Sequence, residues 1–413
     1  MRNNLKQYSP FIIVAIVLLT AIIFSSNTTS TTAQDASDGD SETVVDPETG
    51  FFVTNGLIHS VPLDSIIFDT FSGVNRALPY SQASERVIEN LRDQITPLCE
   101  EATDLIPRCI AREYEDVAAA NEWMDDSFIV MGYVDANGQA YAYPFNILNF
   151  HEIVNDTLAG QPILVSYCPL CNSAVVYSRE LDGEALLFGN TSALYENDLV
   201  MYDQSTDSYW YQVGGEAILG PRTGSRLTPL PSTVTTWEQW RSANPDTLVL
   251  ARPLRGLDYR RNPFVGYQEI VNSGRFAFGV SDEVRNDNRL PAGSNVLMVA
   301  IEEDVIAYPL ELIGDAAVTD EVGGEEIVIL SRAAGPSGAA YRTTLADGST
   351  VDLVFDAEAN GWRDQNTNSL FDLNGNAVEG ELEGTSLTPV PSRFTMWFAA
   401  VATNPEVVVY DGS

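Results

Sequence analysis

The stretch GQPILVSYCPLCNSAVVY, from Gly160 to Tyr177, places β-branched runs on both sides of a Cys-Pro-Leu-Cys turn. Such runs favour strands, so the two cysteines are expected in a tight turn between one strand that enters and another that leaves. The stretch is answered later in the chain, without a gap, by GEEIVILSRAAGPSGAAY, from Gly324 to Tyr341. A repeat changes every later assignment, and this one extends well beyond the turn.

Three further blocks recur in the same order. AYPFNIL (Ala142 to Leu148) matches AYPLELI (Ala307 to Ile313), and DQSTDSYW (Asp203 to Trp210) matches DQNTNSLF (Asp364 to Phe371). The longest pair, GSRLTPLPSTVTTWEQWRSANPDTLVL (Gly224 to Leu250) and GTSLTPVPSRFTMWFAAVATNPEVVVY (Gly384 to Tyr410), again aligns without a gap. Between the blocks, Asp182-Gly183 is a hairpin turn signal, DLVMYD and SYWYQV bracket another turn, and STVTTWEQWRSANP reads as one short helix ended by Asn244-Pro245. The fold expected is α+β, built from strand-rich antiparallel units as two tandem related lobes, 129–250 and 296–413, with a ligand cleft between them. Residues 1–50 are expected as a signal or anchor segment with a tether, 51–128 as an N-terminal helical elaboration, and 251–295 as a connector.

Charge excludes one class of partner. The chain has 58 acidic and 22 basic residues, a formal charge of −36, and Lys6 is its only lysine. Such a surface repels phosphate backbones, so no nucleic-acid partner is expected. Arg2 and Lys6 precede the apolar run Phe11 to Phe24, after which the chain turns small, polar and acidic. That order matches an export signal, either cleaved or kept as a membrane anchor, so the folded part is expected outside the cytoplasm. Contact with a membrane is expected through this segment only.

The cysteines divide by spacing. Cys99 and Cys109, in LCEEATDLIPRC, stand too far apart for one metal knuckle and are expected as a disulfide in an oxidising compartment. Cys168 and Cys171 have the knuckle spacing, and Asn172 tolerates the left-handed backbone that aims N–H groups at thiolate sulfur. A closed zinc site needs two more ligands. Only His59 and His151 are available among histidines, and His151, in NILNFHEIVND, precedes the strand that delivers Cys168. Cys168, Cys171 and His151 thus form the candidate set for a copper or zinc ion, with Met201 as a possible soft donor. Glu152 and Asp156 are candidates to orient His151, or they simply solvate a surface. A histidine before a strand also has a structural reading, as a hydrogen-bonded core residue. Arg332 and Gly335 stand where the second half would have the cysteines. Asn155-Asp156-Thr157 and Asn190-Thr191-Ser192 are formal glycosylation sequons.

HEIVND, YCPLCNSAVVY, DLVMYDQSTDSYW and WEQWRSANPDTLVL together resemble the domain of unknown function 3179 family, found in bacterial and archaeal proteins that are often exported. The resemblance is dense from Gly132 to Leu250 and thinner through Tyr410. The family pattern has Gly after its second cysteine where this chain has Asn172, and both residues accept the left-handed turn. The resemblance brings no activity. Three functions remain open: an extracytoplasmic metal-handling protein, a thiol-disulfide redox protein using Cys168 and Cys171, and a non-catalytic structural or binding module of the cell surface.

Overall fold

A computed structural model describes residues 43–101 and 109–412. The apolar run Phe11 to Phe24, expected to export or anchor the chain, lies outside these residues. Among the described residues, no helix is long and apolar enough to cross a membrane. Strands dominate, and most of them pair antiparallel, as an α+β protein requires.

The hairpins form where the local sequence calls for them. Gln161–Cys168 pairs with Ser173–Ser178, closing on the register Cys168 opposite Ser173. Asp182 and Gly183 both take positive φ, 54° and 80°, in the two-residue turn joining Glu180–Leu181 to Glu184–Ala185. Asp198–Asp203 pairs with Tyr209–Tyr211 as expected. The segment from Ser232 is not helical throughout. Thr233–Thr236 is a strand, because its β-branched run suits a pleated surface, and the helix is confined to Trp237–Ala243. Thr236 begins that helix with a capping box, its hydroxyl accepting from the Gln239 amide.

The two repeat segments share two sheets and do not each keep one of these as its own. One mixed sheet runs through Ala316–Val322, Glu325–Arg332 and Ser337–Arg342 of the second segment and continues into Thr233–Thr236, Ile129–Val134 and Ala140–Pro144 of the first. The other sheet makes the reciprocal exchange. Asp304–Pro309, Asn295–Ile301 and Ser392–Met396 continue into Ser173–Ser178, Gln161–Cys168 and Ile153–Leu158. The seams are Val234 opposite Gly338 and Ala174 opposite Phe394, which are matching positions of the aligned blocks. Pairing across the segments buries edges that two separate lobes would leave open. Trp237 and Trp397 each open a helix, are fully buried, and send the indole N–H to Asn121 Oδ1 (2.8 Å) and Asp287 Oδ1 (2.9 Å).

The N-terminal region is less helical than expected. Helix Glu85–Arg92 and the short turn Val117–Ala120 are accompanied by small strands that cap existing sheets. Thr43–Val45, Phe52–Thr54 and Leu57–His59 extend the sheet formed by Glu216–Leu219, Tyr209–Tyr211, Asp198–Asp203 and Phe188–Tyr195, and Ile67–Asp69 with Ala77–Pro79 covers its far edge. Leu98–Cys99 and Ile110–Ala111 add to the sheet of the cysteine hairpin, tied together by the Cys99–Cys109 disulfide with Cα atoms 5.9 Å apart.

Candidate metal centre

The hairpin Gln161–Cys168 to Ser173–Ser178 delivers both thiols to the core. Asn172 takes φ 49°, the left-handed turn that its short amide tolerates. The turn is then pinned from the second repeat segment: Met396 N–H donates to Cys171 O (2.8 Å), and Asn172 Nδ2 donates to Asn295 Oδ1 (2.9 Å). Inside the turn the Cys171 Sγ lies 3.9 Å from the Cys168 carbonyl oxygen. Cys168 and Cys171 are free thiols, 1% and 0% exposed.

A third group joins them that sequence reasoning missed. Glu196 and Asn197, at φ 49° and 60°, form the two-residue turn that starts strand Asp198–Asp203. The turn sets the Asp198 carboxylate at the head of an apolar strand. Asp198 Oδ1 lies 2.9 Å from Cys171 Sγ, and Oδ2 accepts the Val213 N–H at 2.9 Å. One ligand atom from each of Cys168, Cys171 and Asp198 falls within 4.8 Å of the other two. A signal for Asp198 existed. If the block beginning at Asp203 and Asp364 is extended backwards without a gap, Asp198 faces Ala359, so this carboxylate, like both thiols, is missing from the second segment.

A polar relay supports the thiols. Ser173 Oγ sits 3.1 Å from Cys171 Sγ and donates to Gln212 Oε1, whose Nε2 donates to Ser166 Oγ at 2.9 Å. Beyond these groups the surroundings are apolar, with Met201, Trp210, Tyr211, Trp397 and Phe398 in the same core. Met201, expected as a soft donor, is fully buried in this core.

Burial dominates the electrostatics. It pushes the Cys168 thiol up and the Cys171 thiol well up, and it raises Asp198 to about 6. No cation is among the groups that perturb Asp198. Glu152 adds to the excess of acid. It takes φ 57° where helix Phe145–His151 ends, and its carboxyl accepts from Asn190 Nδ2 at 2.5 Å. Burial lifts it to about 8, and the repulsion of Asp198 and Asp69 adds to the rise.

His151 is not part of this group. Its Nδ1 donates to Thr96 O (2.9 Å), which fixes the tautomer, and its Nε2 accepts from the Tyr259 hydroxyl (2.8 Å). Burial holds its pKa down to about 4, so it is a neutral structural histidine with both nitrogens engaged. The chain reverses at Glu152, so the carboxyl and not the imidazole takes the side of the thiols. Nor do Glu152 and Asp156 orient His151. Asp156 is fully buried against Arg112 (2.5 Å) and the Tyr114 hydroxyl, which docks the N-terminal region onto this strand. His59 is likewise spent, on Thr54 Oγ1 (2.9 Å) and Val61 O (2.7 Å). Both sequon asparagines are buried: Asn155 exchanges hydrogen bonds with the Phe188 backbone, and Asn190 serves Glu152.

In the second segment the equivalent turn is closed by an ion pair. Arg332 Nε reaches Asp315 Oδ1 at 2.9 Å, and the guanidinium lies 4.7 Å from the centre of the Phe355 ring. Gly335, φ 72°, has no room for a side chain, since an added Cβ would stand 2.8 Å from Thr236.

A family model described as a protein of unknown function (DUF3179) matches residues 103–407. No curated protein and no solved structure matches the chain.

Proposed function

We propose that this chain, which belongs to the DUF3179 family, holds one divalent metal ion of the zinc type through Cys168, Cys171 and Asp198. The observation that carries this reading is the convergence of two buried thiols and a buried carboxyl, with one ligand atom of each within 4.8 Å of the others. Two thiolates and a carboxylate cannot all ionise there unaided, because each anion in a low dielectric costs several kcal/mol. A divalent cation removes that penalty and deprotonates the thiols on binding. The donor set also narrows the metal. A carboxylate beside two thiolates suits borderline Zn(II) better than Cu(I), which prefers sulfur throughout. Three protein donors leave a fourth position for a water or substrate oxygen.

The competing redox reading loses support from the same features. Thiol-disulfide exchange needs an accessible thiolate, and these sulfurs are buried with their pKa values raised. Export remains part of the proposal. It rests on the charged and apolar N-terminus and on the Cys99–Cys109 disulfide, a bond at home in an oxidising compartment. A fusion of residues 1–50 to a reporter active only outside the cytoplasm should be active, and an inactive fusion would remove export from the account.

For the metal, protein refolded with excess zinc and then desalted should retain about one equivalent by elemental analysis. Cys168→Ser combined with Cys171→Ser should retain none while keeping the wild-type circular dichroism spectrum. Unchanged stoichiometry in the folded double variant refutes the site.

A further inference from the structure

An arginine-lined cleft opens where the two repeat segments meet. Its walls include Gly214, Arg226 and Thr228 from the first segment and Ser392 and Arg393 from the second. In a chain at −36, none of the described residues lining it carries a carboxylate. Arg226 pairs with Glu216, outside the lining, at 2.5 Å, and its side chain is 66% exposed. Arg393 is held more firmly. Its guanidinium lies near enough to the Tyr177 hydroxyl to favour the phenolate, it pairs with no carboxylate among the described residues, and its Nε is buried without a partner.

An unpartnered guanidinium nitrogen is expensive to bury. Arg92, Arg112 and Arg222 also bury an unpartnered Nε, but each of them pairs with a carboxylate, which Arg393 does not among the described residues. The other seam supplies the control. Ser178 N–H donates to Thr228 O at 2.8 Å, and Arg342 N–H donates to Thr388 O at 2.8 Å in the matching position. Tyr177 donates to Gln212 O (2.9 Å), and Tyr341 donates to Leu373 O (2.7 Å). Where Arg393 touches Tyr177, Thr233 touches Tyr341, and Ser386 replaces Arg226 in the aligned block. The scaffold is thus repeated, and both guanidiniums sit on only one of its seams.

That seam is the one beside the cysteines. Tyr177 closes onto the carbonyls of Gln212 and Val213, Gln212 belongs to the relay that reaches Cys171, and the Val213 N–H holds Asp198. We infer that the cleft binds a small-molecule oxyanion between Arg226 and Arg393. The hydroxyls of Thr228 and Ser392 are available as further donors. A forked guanidinium pair matches the geometry of phosphate, sulfate or carboxylate oxygens. The site is independent of whether the thiols hold a metal.

Isothermal titration of chelator-treated full chain in low-chloride buffer, with inorganic phosphate, sulfate and acetate in turn, distinguishes the three oxyanions. At least one should saturate a single site in the millimolar range or tighter. Arg393→Gln and Arg226→Gln should each weaken it by about tenfold or more, whereas Thr233→Val on the other seam should not. Arg226 is exposed, so its variant keeps the test alive if Arg393→Gln fails to fold. The Cys168→Ser, Cys171→Ser variant should bind the anion as the wild type does, which separates this site from the metal centre. Failure of all three anions to saturate, or binding that both arginine variants leave unchanged, overturns the inference.

Discussion

Asp198 holds its Oδ1 2.9 Å from the Sγ of Cys171, in a core where neither residue reaches solvent. The contact makes proton occupancy and metal occupancy alternatives. Without metal, a proton must sit on the carboxyl or on the sulfur; in the proposed metal-bound state both groups would be ligands.

The metal-free protein should therefore lose stability as pH rises. Asp198 at about 6 and Glu152 at about 8 both lie above their ordinary values of 3.8 and 4.5, so the folded state binds these protons more tightly than the unfolded chain does. Their contribution is full below about pH 4 and is lost as pH climbs through 6 and then 8. For Asp198 the loss is on the order of 3 kcal/mol. Urea unfolding of the apoprotein at a series of pH values should show the decline, and Asp198→Asn should flatten its lower limb. Zinc-loaded protein should not follow it. An apoprotein whose stability rises between pH 5 and pH 8 would contradict this picture.

Asp156→Ala should destabilise the fold by about 3 to 5 kcal/mol, because it leaves the Arg112 guanidinium and the Tyr114 hydroxyl facing a buried gap. Chemical denaturation measures the loss. A change below about 1 kcal/mol would mean that the N-terminal region is not docked through this residue.

The sequence carries two sequons that the fold closes. Asn155 is 1% exposed and Asn190 is 1% exposed, each with its amide engaged. Expression in a host that glycosylates exported proteins should give an intact mass with no glycan at either position. Occupancy of either one would require a different packing of the strands around Glu152.

Opening the Cys99–Cys109 loop by a double serine substitution should lower stability by about 2 to 3 kcal/mol without altering metal content. Loss of metal in that variant would tie the centre to the N-terminal region more closely than the contacts indicate.

Much of this was legible in the residues. The β-branched runs around Pro169, the tolerance of Asn172 for a left-handed turn and the Asp182-Gly183 pair each determine a local conformation, and all three are present. Long-range pairing was not legible. Aligned blocks show which segments are alike, but strand edges pair equally well within a repeat or across repeats, so separate lobes and exchanged sheets have the same sequence signature. For a related reason the sequence left His151 open between a ligand and a hydrogen-bonded structural residue, and its contacts match the structural reading. Nearness in sequence to Cys168 says nothing about which side of the chain reversal at Glu152 a side chain takes. Asp198 reaches the thiols through a different sheet, and only its missing counterpart in the second segment hinted at its role.

The most direct test of the centre is X-ray absorption at the zinc edge on the reconstituted full chain. Two sulfur scatterers at about 2.3 Å with oxygen or nitrogen at about 2.0 to 2.2 Å are predicted, and Asp198→Asn should perturb only the lighter shell. A shell of oxygen and nitrogen alone, or a sulfur signal that survives replacement of both Cys168 and Cys171 by serine, would contradict the account.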